Sequence, residues 1–80
     1  MTTNNDLELL ALGFRMDEAL AVCRKAIAAL PEDMSVKDEF AAIEAATAPV
    51  EAIVSDILAM TAHTAAGKDV QLSARLWLEH

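Results

Sequence analysis

The sequence predicts an all-α fold, an antiparallel helical hairpin completed by a short C-terminal helix, and three observations predict it. Apolar residues fill 55% of the 80 positions, yet they include two Phe, one Trp and no Tyr, so most are the Ala, Leu, Ile, Val and Met of closely packed helices. Gly and Pro number two each, too few to turn a multi-stranded sheet, and no stretch alternates apolar and polar residues with β-branched enrichment. Two long stretches instead repeat apolar residues at three- and four-residue spacing, which gives a helix one buried face.

The first helix is expected over 6–30. Asn5 is a good N-cap, and Glu8 is placed to return a bond to the Asn5 amide in a capping-box arrangement. Pro31 supplies no helical N–H and biases Leu30 away from the α region, so the helix must stop there. Between these ends the pattern has two readings that turn on Gly13. A helix running through it aligns Leu9, Leu12, Met16, Ala19, Cys23, Ala26 and Leu30 as one heptad seam. A helix breaking there makes Leu12-Gly13-Phe14 a turn. The capping pattern, the unbroken heptads and the lack of a helix start at Arg15-Met16 favour the seam. Leu7, Leu10 and Phe14 then form a second apolar stripe, away from the seam, that stops at Asp17.

The second helix is expected over 36–66. Ser35 is its N-cap, with Asp38 and Glu39 where the helix dipole favours acids. Val36, Phe40, Ile43, Thr47, Val50, Val54, Ile57, Thr61 and Thr64 keep the four-three alternation, and Gly67 reads as the C-terminal stop. Pro49 interrupts this pattern, either kinking one helix from its outer face or starting a new one, and the continuous register favours the kink. Asp69 then caps a short amphipathic segment with Val70, Ser73 and Trp77 on one side. The closing Leu78-Glu79-His80 reads as the remnant of a vector-encoded tag, leaving 1–77 as a single domain.

A chain this short buries too little surface for more than marginal stability. Both long helices carry more apolar surface than one partner helix covers, so two hairpins are expected to pair into a dimeric bundle. The core and oligomer seam comprises Leu9, Leu12, Met16, Cys23, Leu30, Phe40, Ile43, Val50, Val54 and Ile57. Leu7, Leu10, Phe14 and Trp77 are left as candidate anchors for a protein partner, aromatics being frequent interface hot spots.

Charge narrows the partner. The formal net charge is -7, and between 26 and 66 Glu32, Asp33, Asp38, Glu39, Glu44, Glu51 and Asp56 face Lys37 alone. Such a surface repels phosphate backbones and anionic lipid heads, so neither nucleic acid nor membrane is expected; a basic protein surface suits it. No apolar run approaches the roughly 18 residues that cross a bilayer, residues 1–5 lack a basic signal-peptide start, and a lone cysteine forms no intrachain disulfide. The expected location is cytoplasmic.

No cofactor, metal or catalytic constellation is expected. Cys23 falls on the seam with no His or Asn at helical contact spacing to activate it, and reads as a buried thiol. His63 has Ala59 and Gly67 as its helical neighbours and reads as solvated. The acids lack the Glu-x-x-His pattern of carboxylate-bridged metals, and Gly67-Lys68 lacks the earlier glycine and strand of a phosphate-binding loop. An enzyme or metal-binding protein would have to use Cys23 or His63.

Leu10-Ala11-Leu12-Gly13-Phe14, followed by Glu18-Ala19 and by Ser35-Val36-Lys37-Asp38, resembles the ubiquitin-associated-like three-helix domains, especially the RuvA C-terminal domain family. The resemblance covers residues 6–47. It departs from the family pattern at Arg15-Met16, where a helix start is expected, and at Glu39, where an apolar residue is. It implies a three-helix domain with extra C-terminal helices and Leu12, Gly13 and Phe14 at an interaction turn, docking to part of a DNA-repair or motor complex. The residues themselves point to a small acidic regulator or adaptor that works by binding a partner protein.

Overall fold

In the computed structural model, which describes residues 6–79, the chain forms three helices: α1 (Leu7–Ala28), α2 (Val36–Leu58) and α3 (Ala65–Leu78). There is no strand among the described residues. α1 and α2 make the expected hairpin. Leu9, Leu12, Met16 and Cys23 of α1 are buried with Val50, Val54 and Ile57 of α2 and Ala74 of α3 in one core.

α1 runs unbroken through Gly13, so Leu12-Gly13-Phe14 is helical and forms no turn. The glycine serves a close approach instead. A Cβ at Gly13 would stand 2.9 and 3.0 Å from the two Val70 methyl groups, so the absent side chain is what lets α3 lie against α1. Asn5 lies outside the described residues. The N-cap position itself belongs to Asp6, whose carbonyl accepts from the Leu10 amide at 2.9 Å.

At α2, Ser35 caps as expected, its Oγ accepting from the Asp38 amide at 3.1 Å. The helix continues through Pro49. Proline removes the N–H that would bond the Ala45 carbonyl, but both residues are exposed, where water can satisfy that carbonyl.

The expected end of this helix at 66 is corrected to Leu58. Residues 59–64 are a connection, Thr61 is exposed, and His63 lies in this connection rather than on a helix face. Gln71 and Asp6, both outside the connection, hold the break, Asp6 through the His63 and Thr64 amides. Gln71 Nε2 donates to the carbonyls of Ile57, at 3.2 Å, and Met60, satisfying acceptors that a helix end leaves open. Thr64, not Asp69, caps α3, accepting from the Gly67 amide at 3.0 Å, so Gly67 opens a helix instead of ending one.

α3 runs parallel to α1 and antiparallel to α2. Asp6 lies beside Thr64 and Gly13 beside Val70, while Gln71 reaches Ile57 and Trp77 lies by Thr47 and Glu51. Its 14 residues span about 21 Å, short of the roughly 33 Å of α1. The far end of the hairpin therefore remains a two-helix layer, and the molecule measures 57 × 18 × 15 Å.

That end leaves one of the seam residues, Phe40, outside the chain's own core. Phe40 is 65% exposed and Val36 81%, whereas Ile43 and Leu30 are half-buried. A strict heptad drifts around a straight helix by about 20° per repeat, and no third helix covers the end. The packing positions accordingly move from Ala26 to Ile27 on α1 and from Phe40 toward Ala42 and Ile43 on α2.

Candidate functional site

The stripe expected on the outer side of α1 is present. Leu7 is 67% exposed, Leu10 38% and Phe14 69%. Leu10, Phe14 and Asp17 follow one another at helical spacing, and α3 lies beside them at the Gly13–Val70 contact. The result is a groove of about 290 Å³ between α1 and α3, lined by Leu10, Gly13, Phe14 and Asp17 on one side and Asp69, Val70 and Ser73 on the other.

Trp77 does not join it. The indole is partly buried against the core, on the α2 side of α3, beside Thr47 and Glu51. Its place seven residues after Val70 and three after the fully buried Ala74 puts it on the packing face of α3. The four candidate anchors thus divide into a stripe on α1 and a core aromatic. The sequence pattern had no way to separate them, because α3 buries through the small Ala74. Asp69, expected as a cap, is instead a wall of the groove, and Asp17, which ends the apolar stripe, is the other acid there.

The second polar feature sits at one end of the bundle. Asp6 adopts φ 55° and ψ 27°, and its residue is only 8% exposed. Its carboxylate accepts from the His63 amide at 3.0 and 3.1 Å, from the Thr64 amide at 2.7 Å and from the Thr64 hydroxyl at 2.6 Å. The Thr64 hydroxyl bond, more than any other contact, holds the carboxyl below its ordinary value; burial pushes the other way, and the two backbone amides and the charge of His63 add to the lowering. A hydroxyl has one proton to give. By taking it, Asp6 turns the lone pairs of Thr64 toward the Gly67 amide and so orients the cap of α3. A Cβ on Gly67 would collide with the Asp6 carboxylate, which packs directly on that glycine. The carboxylate is engaged on both oxygens, and its chemistry here is to fasten the start of α1 to the start of α3.

Cys23 is a buried free thiol. His63 is exposed and joins the Asp6 arrangement through its backbone. Among the described residues no three His, Cys, Asp or Glu are grouped to hold a metal ion, and no helix is long and apolar enough to cross a membrane. Comparison with protein-family models, with characterised proteins and with solved structures finds no match to this chain.

Proposed function

We propose that this chain is a protein-interaction module, a small acidic regulator or adaptor that acts by occupying a partner's surface and performs no catalysis. The observation that carries the reading is the exposure of Leu10 and Phe14 on the rim of a groove between two packed helices. Large apolar side chains gathered beside a concavity cost solubility when left in water, and such patches on small proteins mark binding surfaces. The cytoplasm is its proposed location, and a homodimer its proposed state, with the two-helix end of the hairpin joining two copies.

A photo-reactive phenylalanine analogue tests the reading. Placed at position 14 in the native cell, it should cross-link to a discrete protein, and at position 56, exposed on α2 away from the groove, it should not. The combined Leu10→Ala and Phe14→Ala variant should keep its melting temperature and lose that partner from co-purification. Undiminished capture by this variant would reject Leu10 and Phe14 as the binding surface.

A further inference from the structure

We propose that the α1–α3 groove receives an amphipathic helix from a basic protein, with a bulky apolar side chain over Gly13 and Val70 and Lys or Arg residues paired with Asp17 and Asp69. The inference rests on the reading of Leu10 and Phe14 as a protein-binding surface and adds the chemistry of what binds there.

Shape selects a helix. α1 and α3 run side by side, and Leu10, Phe14 and Asp17 on one face the Asp69, Val70 and Ser73 of the other across the groove. Two parallel ridges of side chains with a furrow between them accept the ridge of a third helix, with anchors repeating every three or four residues. The groove's floor is Gly13, which has no side chain, with the Val70 methyls packed on it. The volume of about 290 Å³ sits at the bottom of the roughly 300–1,000 Å³ typical of small-molecule clefts, so the groove suits side chains projecting from a larger body.

Charge selects the partner. The apolar floor has an acid on each helix, Asp17 from α1 and Asp69 from α3, so any helix lying in it passes between two carboxylates. Arg15 and Lys68 are close in sequence, but neighbours one or two positions away do not share a helix face, and neither lines the groove. Anionic ligands are disfavoured between these two acids. A cationic helix gains steering and register from both acids.

The test uses the full chain as bait for a displayed library of helical peptides whose exposed face is randomised. Enriched peptides are expected to carry Lys or Arg within one turn on both sides of a Leu, Met or aromatic residue. Their binding should shift the amide signals of Leu10, Phe14, Asp17, Asp69 and Ser73. Asp17→Asn with Asp69→Asn, both exposed, should leave the melting temperature unchanged and weaken the enriched peptides by about tenfold at low salt, with the difference shrinking in 0.5 M salt. Enriched peptides that shift Phe14 but carry no basic bias, or bind the double variant equally well, overturn the basic-helix inference and leave the protein-binding surface standing. Peptides that shift only signals elsewhere overturn both. A homodimer that dissociates on Phe14→Asp would show that a second copy fills the groove, and would overturn the inference too.

Discussion

Asp6 holds a left-handed backbone conformation that Asp and Asn tolerate better than other side chains. What keeps it there is the carboxylate, which ties His63 and Thr64 to the start of α1 across 57 and 58 residues of chain. The tie depends on ionisation. Because its carboxyl is held below the ordinary value of 3.8, the folded state binds its proton less readily than the unfolded chain does. Its contribution to stability is therefore complete above that ordinary value and is lost as pH falls through the lowered one. Asp6→Asn is expected to melt at a lower temperature than the parent at pH 6, with the two converging as the solution is acidified below about pH 4. Melting curves by circular dichroism across that range check it, and a constant gap down to pH 2 would refute the ionic tie. Gly67 makes the same point sterically. Alanine in a helix normally gains up to about 1 kcal/mol over glycine, but here the added methyl meets the Asp6 carboxylate. Gly67→Ala should lose about 1–3 kcal/mol in urea denaturation, as overpacked sites do.

Among the helices, the contact that sets the α1–α3 spacing is Gly13 against Val70. An interior helical glycine invites replacement by alanine with a gain of about 1 kcal/mol, yet the new Cβ would stand 2.9 Å from a Val70 methyl that has no flexible tail to swing away. Gly13→Ala is expected to gain nothing or to destabilise in the parent, and to stabilise when Val70→Ala is already present. The coupling should amount to about 0.5–1 kcal/mol or more in a double-mutant cycle. Equal effects in both backgrounds would mean that α3 does not pack on Gly13. This contact also marks where the sequence was legible and where it was not. The hairpin, the seam from Leu9 to Cys23 and from Val50 to Ile57, the Ser35 cap and the Leu10–Phe14 stripe all follow from local spacing, because each depends on residues within a few turns. The α2–α3 boundary does not. Met60 and Ala62 pack against the core while continuing the apolar pattern, so periodicity carries the eye through a connection closed by Asp6 and Gln71, whose partners are far along the chain. Gly13 and Gly67 were visible as glycines, but the neighbours that require them to lack a side chain were not.

At the scale of the molecule, shape is the strongest reason to expect a second copy. A compact domain of this length has a radius of gyration of about 12 Å, and this one has 15.2 Å. At the end of the hairpin beyond α3 two helices have only each other, and Val36 and Phe40 stand in water. Two-helix layers bury too little apolar surface to be stable in isolation, and a two-fold axis through this end would supply each copy with the missing cover. Light scattering should give twice 8.6 kDa at concentrations on the order of tens of micromolar. Phe40→Ser should return the mass to that of one chain with helix content largely kept, since the residue is already 65% exposed. Phe14→Ala should leave the mass doubled, because the proposed partner groove lies along α1 and α3 and not at the hairpin end. Leu12→Asp differs from both: it puts a charge among buried residues, and should unfold the chain rather than only separate copies. A parent protein that stays at the mass of one chain throughout this range would rule out the dimer, and the Phe40 surface would then need another occupant.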